Sequence, residues 1–159
     1  MIENKNNVFG IVGIPISEKI YFGSSFHNFE RKTDKSSKLR FIVSRSHLSN
    51  IENEFFQHLK EHDVDFELIE KGSSLKFCSL AENEADIYVR FGPTSEWDIA
   101  AGHAILHACG GSISQMANAE DLKYSKEESI LNPAFAAFRN EAIKDQYLPI
   151  LSEFYKKLV

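Results

Sequence analysis

The stretch Phe91-Gly92-Pro93-Thr94-Ser95-Glu96-Trp97-Asp98-Ile99-Ala100-Ala101-Gly102-His103-Ala104 sets one carboxylate, Asp98, at the start of a helix-like run of small and apolar residues. An acid in that position has two uses. In Ser95-x-x-Asp98 it completes a capping box, where the helix dipole stabilises it by about 0.3–1 kcal/mol. On a helical wheel of about 100° per residue, Trp97, Ala101, Ala104, Ile105 and Ala108 share one side, and Glu96, His103 and His107 form a polar stripe opposite. Asp98 falls on the flank of Gly102, Ile105 and Cys109, and a carboxylate turned inward must be paired or bound to a cation. Gly102, one turn further on, costs about 1 kcal/mol relative to alanine in a helix, which predicts close approach of another backbone or a ligand. The histidines offer other chemistry. His58 and His62, like His103 and His107, are spaced to hold zinc from one helix face. Neither pair carries the glutamate of HExxH, and the wheel places His103 and His107 beside Glu96, so surface histidines are expected.

These residues must be positioned by elements legible in the pattern. Val8 to Pro15 and Lys19 to Gly23 read as two strands joined by a short turn, and Asn28 to Lys38 as a polar loop. Leu39 to Val43 is a short apolar strand ending at Ser44-Arg45-Ser46-His47. Ile51, Phe55, Phe56 and Leu59 have helical spacing between Ser49 and about His62, and Val64 to Glu70 alternates like a strand. A helix opens at Gly72-Ser73-Ser74, a strand covers Ala85 to Phe91, a helix Ser95 to Cys109, and a short strand Ser112 to Ser114. Strands alternating with helices predict an α/β architecture whose sheet is covered by helices. Ile143, Tyr147, Ile150, Leu151, Phe154 and Leu158 form an apolar face around Pro149, to pack back on the domain or to bind a partner.

Composition bounds the function. With 159 residues, 43% hydrophobic and 26% charged, the chain can bury a core and is one domain or one lobe of something larger. A net charge of -5 argues against a polynucleotide-binding surface while leaving room for a local basic pocket. No apolar run suits a membrane span and the first residues are too polar for a signal peptide, so a cytoplasmic location is expected. Cys78 and Cys109 stand alone without CxxC spacing, which predicts reduced packing residues.

Gly72-Ser73-Ser74-Leu75-Lys76-Phe77-Cys78, Tyr88-Val89-Arg90-Phe91-Gly92-Pro93-Thr94, Trp97-Asp98-Ile99-Ala100-Ala101-Gly102 and Leu131-Asn132-Pro133 resemble the C-terminal half of CysQ-type 3'(2'),5'-bisphosphate nucleotidases, within the inositol monophosphatase-like superfamily. The resemblance runs from about Phe9 to about Phe135. It implies the C-terminal lobe of the sugar-phosphatase fold, a mixed sheet flanked by helices and preceded by a β-hairpin that belongs with an N-terminal lobe. The implied divisions are 1–27 for the hairpin, 39–135 for the substrate-binding lobe and 136–159 for a helical extension. It further implies Mg2+ as cofactor, with Asp98 as metal ligand and substrate contact. By the same resemblance Ser73, Lys76 and Arg90 hold the phosphate left on the nucleotide, and Ser46 and His47 lie along the nucleotide. Read without it, Ser73 is an N-cap, Lys76 a solvated charge and Arg90 an edge ion pair.

The family's other metal ligands, a glutamate and an Asp-Pro-Ile/Leu-Asp-Gly-Thr motif, have no counterpart in this sequence. One carboxylate leaves magnesium mostly hydrated and unpositioned. The expectation is therefore a fragment of a magnesium-dependent phosphatase acting on the 3'-phosphate of adenosine 3',5'-bisphosphate, inactive alone. Its partners would be a nucleotide bisphosphate and either an N-terminal lobe supplied in trans or a second copy bound through the early strands. Family analogy adds a place at the periphery of the inner membrane. An inositol or sugar monophosphatase is the alternative within the enzyme class, opposed by GSSLKFC and RFGPT. A noncatalytic lobe binding nucleotide or a partner is the alternative outside it.

Overall fold

In the computed structural model, which describes residues 1–27, 29, 38–44 and 48–159, the chain opens with β1 (Ile2–Glu3) and β2 (Asn6–Asn7). It continues through β3 (Phe9–Ile14), a single 3-10 turn at Pro15–Ser17, β4 (Lys19–Ser24), β5 (Leu39–Val43), α1 (Asn50–Glu61), β6 (Phe66–Glu70) and α2 (Leu75–Ala81). There follow β7 (Ile87–Arg90), β8 (Thr94–Ser95), α3 (Glu96–Ala108), β9 (Ser112–Gln115), β10 (Leu131–Asn132), β11 (Phe135–Phe138) and α4 (Glu141–Leu158).

The central sheet has the order β6-β5-β7-β11-β9, with β5 parallel to β6 and β7, and β11 antiparallel to β7 and β9. Side chains on successive strand residues point to opposite faces, and the core divides accordingly. Phe41, Val43, Ile87, Val89, Ala136 and Phe138 face one way and pack with Phe55, Phe56 and Leu59 of α1 and Leu148, Leu151 and Phe154 of α4. Ile42, Tyr88, Phe135 and Ala137 face the other way, against Phe77 and Leu80 of α2 and Ile99 and Leu106 of α3. The molecule is thus an α/β fold with a mixed sheet flanked by helices, as the alternation of elements predicts. Apolar faces of α4 settle its role: it packs back on the domain.

Outside α3 lies a further layer, the antiparallel hairpin β3–β4. Gly10 and Gly23 are opposite one another in its register, and a Cβ added at either would stand 2.4 Å from the backbone of Ala101 or Ile105 in α3. The two glycines let strand backbone lie directly on helix backbone. Lys19 and Tyr21 then tie the hairpin to Glu82 at the end of α2, by an ion pair and by a 2.7 Å hydrogen bond from the Tyr21 hydroxyl. The opposite face of the hairpin shows Ile11, Ile20 and Phe22 more than half exposed.

Three readings of the sequence change. β11 was not among the predicted strands, because Phe-Ala-Ala-Phe is apolar on both faces and shows no alternation; it is an interior strand of the sheet, and the division expected at residue 135 falls within it. α3 has a covered polar stripe: His103 is 5% exposed, with Nδ1 2.7 Å from the Tyr124 hydroxyl, while His107 remains exposed. The segment after β9 folds over the face that the wheel leaves to solvent, and Trp97, assigned to the covered side, is 68% exposed. Finally, His58 is buried beneath α4 rather than solvated.

A buried carboxylate ties the sheet ends together. Asp86, 2% exposed, accepts from the Arg40 backbone N–H at 2.7 Å and from its guanidinium at 3.0 and 3.1 Å, and Arg139 Nε lies 2.7 Å away on the other oxygen. Cys78 and Cys109 are thiols, as expected, and burial pushes the Cys78 pKa up to about 11. Among the described residues no helix is long and apolar enough to cross a membrane.

Candidate phosphate and metal site

The chain leaves β5, crosses to β6 on one side, and returns through α2 to β7 on the other side of β5. That reversal opens a crevice beyond the carboxyl ends of β5 and β7, the usual ligand position in open α/β sheets. Ser44 follows β5 and Arg90 ends β7, so both stand at its mouth. A cleft of about 380 Å3 lies there, lined among others by Ser73, Lys76, Tyr88, Arg90, Trp97 and Asp98. Four of the residues singled out in the sequence, Ser73, Lys76, Arg90 and Asp98, are brought together. Ser46 and His47 lie outside the described residues.

Lys76 is not the solvated charge of the bland reading. It is 7% exposed, donates to Ser44 Oγ at 3.0 Å and sits 4.8 Å from the centre of the Tyr88 ring. Burial, and after it the nearby Arg90 charge, lower its pKa. Arg90 Nε is buried without a hydrogen-bond partner. Among the described residues no ion pair involves either cation. Glu52, which acts on Lys76 through space, is committed to the Ser49 N-cap, bound at 2.8 Å by both the backbone N–H and the hydroxyl. Two like charges held together in a partly desolvated cleft are costly unless an anion joins them. Tyr88, which supplies the ring beside Lys76, is not singled out in the sequence, where it only opens the Tyr88–Thr94 motif within an apolar strand.

Ser73 lines the cleft but is not the N-cap that its sequence setting alone suggests. α2 begins at Leu75 with Ser74 as its N-cap, and the Ser74 side chain makes no capping hydrogen bond. Ser73 itself has φ 49°, a left-handed conformation that costs a non-glycine residue energy and clusters at functional sites.

Asp98 turns out exposed to the cleft rather than inward. Its Oδ2 accepts from the Ser95 backbone N–H at 2.7 Å, so the residue both caps the helix and lines the cleft. Gly102 is close-packed for a different reason from the one expected: a Cβ there would stand 2.5 Å from the Phe77 ring of α2, not against backbone or ligand. As a cation site the cleft is partial. Asp98 fits as a hard oxygen ligand for magnesium, and it is the single acid among the described lining residues.

Trp97 stands on the rim as an exposed indole, and Thr94 Oγ1 accepts from Asn132 Nδ2 at 3.2 Å where β8 pairs with β10. That bond fixes Leu131-Asn132-Pro133 beside the helix start, which explains why these sequence-distant motifs occur together.

Comparison with known proteins agrees with this geometry. The sequence matches the inositol monophosphatase family over residues 1–153. It is 36% identical over 143 residues to the 3'(2'),5'-bisphosphate nucleotidase CysQ of Salmonella typhimurium, covering 85% of this chain and 56% of that protein. The Buchnera aphidicola CysQ is 35% identical over 150 residues, covering 86% and 54%. The chain therefore spans little more than half the length of the curated relatives it matches. A crystal structure of CysQ from Bacteroides thetaiotaomicron superposes with a TM-score of 0.77 at 33% identity, over 86% of this chain and 59% of that one. An inositol monophosphatase from Staphylococcus aureus superposes at 0.71 with 18% identity, a likeness of fold alone, over 95% and 58%. With the family pattern spanning nearly its whole length, and its cleft built from the residues that carry the resemblance, this chain belongs to the inositol monophosphatase family.

Proposed function

We propose that this chain is the substrate-binding lobe of a magnesium-dependent 3'(2'),5'-bisphosphate nucleotidase that removes the 3'-phosphate of adenosine 3',5'-bisphosphate. The observation that carries the reading is the pair of cations lining the cleft, the buried Lys76 and the half-buried Arg90 with its buried, unpartnered Nε, with no ion pair to either among the described residues. A second phosphate on the substrate supplies the missing negative charge, and a monophosphate has none to spare once its single phosphate lies at the metal. The exposed Trp97 indole offers an apolar face to a purine. The names of the CysQ relatives support the same substrate class.

Asp98 contributes one ligand to the magnesium, which when bound polarises the phosphate and activates water. The remaining carboxylates come from a segment of the Asp-Pro-Ile/Leu-Asp-Gly-Thr kind that is not among these 159 residues. Lys76, held by Ser44 and the Tyr88 ring, orients the nucleotide so that its other phosphate faces Asp98.

Phosphate release tests both parts. The chain alone stays at background in magnesium, and mixing with a companion segment raises turnover. Asp98→Asn abolishes the rise while leaving the fold intact, because asparagine still accepts from Ser95 N–H but is a poor magnesium ligand. Lys76→Ala weakens transition-state binding of the bisphosphate by about 1.5–3 kcal/mol, the worth of a charge-assisted hydrogen bond, with little change for inositol monophosphate. Equal losses on both substrates favour a monophosphatase, and magnesium-dependent turnover that survives Asp98→Asn removes the reading altogether.

A further inference from the structure

His58 of α1 and His62, the C-cap of the same helix, lie one turn apart, and Glu153 of α4 comes to the same place. One ligand atom from each of the three residues lies within 4.8 Å of the others. The two imidazole rings are tilted together with centroids 4.2 Å apart, and His62 Nδ1 is 2.9 Å from the His58 carbonyl oxygen. His58 is 7% exposed and its Nε2 is buried without a hydrogen-bond partner. That orphan nitrogen is an unsatisfied polar atom whose presence the phosphatase reading does not explain. Glu153 is exposed and neutralised by Lys157 at 2.8 Å, an i,i+4 pair that an incoming cation can replace at little cost.

We propose that His58, His62 and Glu153 form a transition-metal site of the zinc class that clasps the C-terminal helix to α1. Two imidazoles and a carboxylate suit zinc, nickel or copper rather than magnesium, which takes oxygen ligands. Zinc–nitrogen bonds of about 2.0–2.1 Å in a tetrahedron put ligand atoms about 3.3 Å apart, so side-chain rotation of the exposed His62 and Glu153 closes the site on the fixed His58. The remaining coordination position goes to water. Phe154, the neighbour of Glu153, packs its ring 5.3 Å from His58 and 5.4 Å from Phe55, so the two helices are already in contact where the metal would bridge them. The site lies on the α1–α4 side of the sheet, away from the cleft at Asp98, and does not depend on the phosphatase reading.

Cobalt(II) titration of the full chain tests this, because a site of this kind gives visible absorption bands. The expected result is saturation at one equivalent, displacement by zinc and none by a large excess of magnesium. Zinc also raises the melting temperature, since it binds the folded state. His62→Ala and Glu153→Gln, both at exposed positions that leave the metal-free melting temperature unchanged, each weaken binding by at least about tenfold, the lower end of what even outer-shell changes cost. Absence of saturable binding overturns the proposal. So does affinity unchanged in both variants, or a thiolate-to-cobalt charge-transfer band, which would place the metal on Cys78 or Cys109.

Discussion

His103 shows how a single residue can carry a pH dependence for the whole fold. Burial, with His107 adding a smaller push, lowers its pKa to about 3, and burial lowers that of His58 in the same direction. The unfolded imidazole takes its proton near pH 6.5, as ordinary histidine does. Between these values the unfolded chain binds more protons, so the free energy of unfolding falls as the pH falls. Stability is therefore fully present above about pH 7 and declines below about pH 6, by up to about 1.4 kcal/mol per pH unit for His103, with His58 acting in the same direction. Thermal melts across this range should show a plateau and then a slope. His103→Gln, whose amide can still meet the Tyr124 hydroxyl, should make that slope shallower; a slope unchanged by the substitution would assign it to other groups.

At the scale of elements, the hairpin β3–β4 is held on α3 by what it lacks. Gly23→Ala would put a methyl group 2.4 Å from the Ile105 Cα, where neither backbone can give way without lifting the hairpin. The expected cost is about 1–3 kcal/mol in urea unfolding, as for overpacking elsewhere. Gly13, on the open side of the same hairpin, meets nothing within 4 Å, and Gly13→Ala should be neutral or slightly stabilising because alanine loses less chain entropy. Equal effects at the two positions would mean that the glycines serve turn flexibility and not docking. The buried trio at Asp86 does comparable work on the sheet: Arg40 is the second residue of β5, Asp86 leads into β7 and Arg139 follows β11, so one carboxylate registers three strands.

For the molecule as a whole, the outer face of that hairpin is the open question of assembly. Ile11 and Phe22 are cross-strand partners and Ile20 lies beside them, all more than half exposed on antiparallel strands that pair with no further strand among the described residues. Exposed flat strands of this kind invite pairing or burial. We expect the chain to self-associate through this face at high concentration, and a companion lobe to compete with that association. Ile20→Lys should leave the fold intact and shift sedimentation to the monomer, whereas a monomer at every concentration in the unchanged chain would mean that the face needs no cover.

Local pattern by itself determined much of this protein. The 3.6-residue spacing of Ile51, Phe55, Phe56 and Leu59 with the Ser49–Glu52 box fixed α1, and β5 follows the apolar run Leu39 to Val43. Asp98 stands out by its setting at a helix start among small and apolar residues, whereas Ser73, Lys76 and Arg90 are legible as site residues only through the family resemblance, since pattern alone reads them as an N-cap, a solvated charge and an edge ion pair. Tertiary structure alone decided what lies on the far side of each element. A helical wheel has one buried face by assumption, but α3 is covered by the sheet, by the hairpin and by the segment carrying Tyr124, which buries His103 and leaves Trp97 in the open. Phe135–Phe138 has no period to read because it is buried on both sides. And the meeting of His58 and His62 with Glu153 depends on how two helices distant in sequence cross, a geometry that no local spacing encodes.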